Sequence, residues 1–146
     1  MIKEKSVGLI VFRRRQTGEI EYLVLYHRGS YWNFPKGKME EGENEMETAL
    51  RETAEEAGLA DLSIIDGWRQ QTQFFFKEKR NQSDELIKKD FVLYLAQVPV
   101  DTNPKISSEH NGYAWLDYKN ASKFLKFKNL KNILTEADSF IKNEIK

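Results

Sequence analysis

The stretch from Gly37 to Leu59, GKMEEGENEMETALRETAEEAGL, constrains the chain most, because it specifies a helix and loads one strip of it with acid. Met46, Ala49, Leu50, Thr53, Ala54 and Ala57 recur at three- and four-residue steps, the spacing that gives a helix one buried face. Asn44 is placed to cap the N-terminus, with Glu47 completing a variant of the capping box, and Gly58 stands where a left-handed C-terminal residue is wanted. The spacing predicts a helix over 45–57. At about 100° per residue, Glu52 and Glu56 fall about 40° apart around its axis, with Glu55 on the flank of the same strip. The acids are expected to project away from the buried face.

Like charges one turn apart repel, and Arg51 is the only cation inside the predicted helix. A divalent ion would remove that repulsion. With no cysteine and 2 histidines in the chain, all-oxygen ligation by Mg²⁺ or Mn²⁺ is expected rather than zinc. A bare ExxEE is nevertheless more often a solvated helix face than a metal site.

The frame around the acids changes that balance. Gly37, Glu43, Arg51-Glu52, Glu55-Glu56 and Gly58, followed by apolar Leu59, match every fixed position of the Nudix box. With each fixed residue at about 7% background, chance gives such a match on the order of 10⁻⁸ times per starting point. The soft departure is Thr53, where the box carries an aliphatic residue. The chain thus resembles the Nudix hydrolases, which implies an α/β Nudix fold, a mixed β-sheet sandwiched between α-helices. The order of strands, acidic helix, strands and C-terminal helix reads as the same layered pattern.

A chain of 146 residues is expected to form one domain spanning 1–146, large enough for a true core. Its 23 basic and 23 acidic residues balance, so no global field draws it to nucleic acid or an anionic membrane, and phosphate binding has to be local. No apolar run approaches the ~20 residues of a membrane span, and MIKEKSVG lacks an apolar signal region. Without cysteine, a cytoplasmic home is the expectation.

Val7 to Phe12 and Ile20 to Tyr26 read as an antiparallel pair, and Arg13, Arg14 and Arg15 between them as a solvated strand end rather than an RNA contact. His27 and Arg28 end the second strand near the box, either touching substrate or closing the strand. Trp32 is a candidate substrate contact, whereas Phe34 is read as core. Lys36, a cation just before the acids, is placed to hold phosphate oxygens, and Gly37 lets its carbonyl approach a metal. Leu62 to Ile65 and Trp68 to Phe76 read as strands, the second carrying aromatics on both faces through Phe74, Phe75 and Phe76. Residues 77–87 read as a charged loop, after which Lys89, at the start of the strand Phe91 to Val98, faces either phosphate or solvent. Glu109, at a loop-to-strand junction, is the strongest candidate outside the box as a metal ligand or base. Ala121 to Leu125 and the segment beyond Phe127 read as helices, the longer one covering the sheet.

WNFPKGKMEEGE, ETALRETAEEAGL and the downstream SSEHNGYAWL are together similar to the asymmetrical diadenosine tetraphosphate hydrolases. The resemblance implies Mg²⁺-dependent cleavage of a small-molecule dinucleoside polyphosphate to ATP and AMP. It makes Glu52 and Glu56 the principal metal ligands, with the Gly37 carbonyl, and Glu55 an additional ligand or base. It makes Arg51 and Glu43 the pair bracing the loop against the helix, Lys36 a phosphate binder, Glu109 the downstream acid, and Tyr113 and Phe74 rings that stack on a nucleobase. A monomer or weak dimer without a membrane is expected. Two alternatives stay open: a hydrolase removing pyrophosphate from RNA 5′ ends, and a Nudix-fold nucleotide sensor without catalysis.

Overall fold

The computed structural model describes residues 1–27, 31–108 and 110–145, apart from the side chain of Asn111. The elements in chain order are β1 (Ile2–Arg14), β2 (Ile20–His27), β3 (Tyr31–Asn33), β4 (Lys36–Lys38), α1 (Glu45–Ala57), β5 (Ser63–Arg80), β6 (Ser83–Gln97), β7 (His110–Asp117), α2 (Tyr118–Phe124) and α3 (Lys128–Glu144). One sheet runs β3-β2-β1-β6-β5, with β4 added to β1 and β7 to β2. It is mixed, because β1 runs parallel to β6 while its pairings with β2 and β4 are antiparallel.

β1 sits at the centre because its run of apolar residues can be covered on both sides. Ile10 and Phe12 pack with Leu130, Leu134, Ala137 and Ile141 of α3 on one face. Val7, Leu9 and Val11 pack with Ala49 and Ala57 of α1 on the other. The expected α/β sandwich is therefore present, with α1 and α3 on opposite faces of the sheet. Phe34 is fully buried in the α3-side core, as read from the sequence. No helix among the described residues is long and apolar enough to cross a membrane.

The sheet departs from the sequence reading in one region. Residues 77–87, expected as a charged loop, continue β5 and β6 into a long hairpin in which Lys79 faces Asp84 and Arg80 faces Ser83. Asn81 and Gln82 close it with φ of 50° and 65°, the two left-handed residues of the tight turn whose twist suits a hairpin. The charges that suggested a loop are paired instead: Arg80 donates to Glu4 of β1 at 2.6 Å and, within β5, to Glu78 at 2.7 Å. The two expected strands before it are one strand, shifted in register between Ile64 and Arg69, where Gly67 has φ 83°.

Candidate active site

Helix α1 begins and ends where its caps require. The Asn44 side chain accepts from the Glu47 backbone N–H at 2.8 Å, and the Glu47 carboxylate accepts from the Asn44 N–H at 2.9 Å. Gly58 adopts φ 67° and its N–H closes on the Ala54 carbonyl. The loop before β7 then ties itself to the end of the helix, Lys105 N–H donating to the Ala57 carbonyl at 2.8 Å and Ser107 N–H to the Glu56 carbonyl at 3.0 Å.

The buried face differs from the one expected. Thr48, Ala49, Thr53, Glu56 and Ala57 are buried, whereas Leu50 is 38% exposed and Ala54 is exposed too. The helix rests on the sheet through Ala49, Thr53 and Ala57, so the neighbouring side of the cylinder, carrying Glu52 and Glu56, turns into the seam against β4. Those two side chains are only 14% and 12% exposed, and Glu55 alone, at 59%, projects into solvent.

Gly37 makes that seam possible. A Cβ there would stand 1.9 Å from Glu52 Cδ and 2.2 and 2.3 Å from its carboxylate oxygens, so only a residue without a side chain lets the carboxylate lie against β4. Lys36 N–H donates to Glu56 Oε1 at 2.8 Å. Arg51 grips Glu43 at two points, 2.6 and 3.0 Å, while reaching Glu52 at 2.8 Å, Glu55 at 3.3 Å and the Lys38 carbonyl at 3.0 Å. Its hydrogen bonds pull the Glu43 carboxyl down to about 2. Glu52 moves the other way, because burial outweighs Arg51 and raises its carboxyl above the usual range.

The donor set fits a hard divalent cation. Three carboxylates and a close backbone supply oxygen, the seam around Gly37 is a cradle that a Cβ would fill, and the raised Glu52 is a buried carboxylate whose charge a cation would compensate. Both histidines of the chain also lie at Glu56: His27 was expected near the box, but His110 was not. His110 Nε2 is 3.5 Å from Glu56 Oε2 and 3.2 Å from His27 Nδ1, and Ser107 Oγ is 2.9 Å from His110 Nδ1. Burial holds the His27 imidazole down at about 3, with Lys36 and His110 acting in the same sense. Only the EH pair in the downstream segment hinted at His110; nothing local placed it beside β2.

On the α3 side of the sheet lies a cleft of about 460 Å³ with aromatic walls and lysines on its lining. Phe74 meets Phe127 edge-on at 5.1 Å, and Tyr31 approaches Phe127 at 6.4 Å while stacking on His27 at 5.0 Å. Lys36, Lys89 and Lys126 line the same space. Lys89 lies in mid-strand, opposite Phe74, because β6 begins earlier than the sequence suggested; burial lowers its ammonium and the neighbouring Lys36 adds to the effect. The structure thus brings Lys36, Lys89 and Phe74 together, and Tyr31 and Phe127 join them without having been singled out as site residues.

Other candidates stand apart. Tyr113, 40% exposed, is opposite Leu25 in the sheet, and Leu25 belongs to the α1-side core, so Tyr113 shares that face and not the cleft. Trp32 packs edge-on against Tyr26 at 5.1 Å and leans toward Phe124 at 6.3 Å, outside the cleft lining. Glu109 and Arg28 lie outside the described residues.

The profile of the NUDIX domain matches residues 3–137. The chain belongs to the NUDIX family. The acidic seam on α1 holds the residues that match the Nudix box pattern, and the protein is a Nudix hydrolase. It is 36% identical over 147 residues to the bis(5′-nucleosyl)-tetraphosphatase [asymmetrical] of Sus scrofa, covering 94% of this chain and 95% of the relative. The Mus musculus protein of the same name is 34% identical with the same coverage. Among solved structures, a Caenorhabditis elegans Ap4A hydrolase binary complex superposes with a TM-score of 0.82 at 25% identity, covering 95% of this chain and 98% of that one. The Nudix fold extends to more distant enzymes, as the 0.74 TM-score with the Escherichia coli dihydroneopterin triphosphate pyrophosphohydrolase illustrates.

Proposed function

We propose that this Nudix hydrolase splits dinucleoside polyphosphates asymmetrically, taking diadenosine tetraphosphate and water to ATP and AMP with Mg²⁺ or Mn²⁺. The double engagement of Lys36 carries the reading: its side chain lines the aromatic cleft and its backbone N–H holds Glu56 at 2.8 Å. A base held among Phe74, Phe127 and Tyr31 therefore runs its phosphate chain past the lysines toward the box. The names of the porcine and murine relatives support this substrate class.

Each residue has a physical task. The rings supply stacking, about 1–3 kcal/mol per base. Lys36 and Lys89 offset phosphate charge, Arg51 and Glu43 keep the loop clamped to the helix, and the Lys36 N–H fixes the orientation of Glu56. Gly37, Glu52, Glu55 and Glu56, with Glu109 as a further candidate, would hold the divalent ions. When bound, such ions screen the anionic phosphates and ease attack by water. The water oxygen bonds to one phosphorus as the bridging P–O bond opposite it breaks, the bridging oxygen leaves with the other nucleotide, and the water's protons pass to a carboxylate or to solvent. Glu55, the exposed acid, stands as an additional ligand or as that base.

RNA 5′-end processing would want a basic path, and the arginine triplet does not provide one. Arg13 binds Glu21 at 2.8 Å and lies 4.4 Å from the centre of the Trp115 ring, Arg14 donates to the Ile145 carbonyl at 2.8 Å, and Arg15 reaches Glu21 at 3.4 Å. Anion-exchange chromatography of reactions with Mg²⁺ tests the proposal. ATP plus AMP, formed faster than products from 5′-triphosphorylated RNA, nucleoside triphosphates or nucleotide sugars, is the expected result; ADP as the sole product, or faster pyrophosphate release from RNA, overturns it.

A further inference from the structure

We infer that His27, His110 and Glu56 form a second cation site, of mixed nitrogen and oxygen character, that takes Zn²⁺ and in doing so withdraws Glu56 from the oxygen site of the Nudix box. One ligand atom from each of the three residues lies within 4.8 Å of the others. Two of the three separations already suit a shared ion. A tetrahedral zinc with bonds of about 2.0–2.1 Å sets its donors about 3.3 Å apart. His110 Nε2 stands 3.2 Å from His27 Nδ1 and 3.5 Å from Glu56 Oε2.

The site is built into the fold. All three residues are buried, and they come from β2, α1 and β7, so no loop movement is needed to assemble them. Ser107 supports two of them, with its hydroxyl 2.9 Å from His110 Nδ1 and its N–H bonded to the Glu56 carbonyl. An outer partner on the far nitrogen fixes the ring and directs the other nitrogen to a metal. Tyr31 stacks on His27 and restrains that ring as well.

The two sites sort ions by donor chemistry. Imidazole nitrogen suits zinc, whereas Mg²⁺ prefers oxygen and keeps its waters. Because Glu56 belongs to both, zinc acts as a competitor of the activating ion rather than as its substitute. Zinc binding stands on the geometry alone; only the inhibitory consequence rests on the placement of Mg²⁺ at the box proposed above.

X-ray absorption of the full chain loaded with zinc, without Mg²⁺ or substrate, reads the site in the unaltered protein. Two imidazoles in the first shell are expected, and an oxygen-only shell overturns the assignment. Calorimetric titration with ZnCl₂ then compares variants. His110→Gln and His27→Gln should weaken zinc binding at least about tenfold, while Glu52→Gln should leave it unchanged. Equal affinity in the histidine variants, or loss in Glu52→Gln, places zinc at the box and overturns the inference. In turnover assays zinc should inhibit and excess Mg²⁺ should relieve it; zinc bound through the histidines without inhibition refutes the sharing of Glu56. A protein inactive on dinucleotides would refute the proposed function and leave the zinc measurements decisive.

Discussion

Gly37→Ala isolates the seam between β4 and α1. The new methyl would arrive 1.9 Å from Glu52 Cδ, where ordinary contact begins at 3.4 Å, so the carboxylate has to retreat by about 1.5 Å. Its retreat is resisted by Arg51, 2.8 Å away on the other side and itself clamped to Glu43. The backbone at Gly37 is not left-handed, so the substitution brings no strain of its own. A displacement of about 1 Å in a positioned group can cost on the order of 10²-fold in rate, equivalent to about 2.7 kcal/mol. Stability should hardly change. A weakened Glu52–Arg51 pair costs about 0.5–1 kcal/mol, and the reduced freedom of the unfolded chain returns a similar amount. The expected outcome is a fall of about 100-fold or more in kcat/KM for diadenosine tetraphosphate and weaker Mn²⁺ binding by electron paramagnetic resonance, with Tm moving by no more than about 4 °C. A variant with kcat/KM within about threefold of wild type and unaltered Mn²⁺ affinity would show that Glu52 works from another position and refute the cradle.

Phe74→Ala removes one wall of the cleft and should raise KM for the dinucleotide about tenfold with a smaller change in kcat, since stacking is worth about 1–3 kcal/mol and is made before the transition state; a pure kcat effect in steady-state kinetics would disprove base binding there. Glu45 and Glu43 carry depressed carboxyls, held chiefly by Arg69 and Arg51 respectively, so their contribution to stability is present above the ordinary carboxylate value of about 4.3 and is lost as pH falls through their folded values, near 2 for Glu43. Glu45→Gln should therefore lower stability by about 1–2 kcal/mol at neutral pH and flatten the acid limb of the thermal-unfolding profile below about pH 4.5; an unchanged limb would mean that the Arg69–Glu45 pair does not persist in solution. Tyr22 donates to Asp138 at 2.6 Å between the sheet and α3, and Tyr22→Phe should cost about 1–2 kcal/mol in urea unfolding with activity retained, whereas loss of activity without loss of stability would contradict a purely structural role.

What could be read from the residues was what neighbours in the chain decide. The bounds and both caps of α1, the antiparallel pairing of β1 with β2 and the apolar face of α3 all follow from hydrogen bonds and periodicities within a few residues, and the Nudix box is itself a local pattern. The β5–β6 arm was missed because its charges look solvated until each strand supplies the other's backbone partners. The rotation of α1 was missed because three alanines, a leucine and a threonine offered nearly equivalent faces, and only the positions of β1 and β4 chose between them.

The zinc-like cluster makes the same division sharper. From composition, 2 histidines argued against nitrogen ligation. Folding sets them side by side although they are 83 residues apart, because β7 pairs with β2 and places His110 opposite His27, with Glu56 on the helix beneath the same loop. The cleft is likewise a product of topology: Phe127 precedes α3, Phe74 lies on β5 and Lys36 on β4. By itself, then, the sequence determined which acids cluster and that they lie on a helix, since those depend on spacing along one segment. Only the tertiary structure decided which acids are buried, which rings form the cleft and which nitrogens reach Glu56, since long-range strand pairing and helix packing carry no signature in any single stretch of chain.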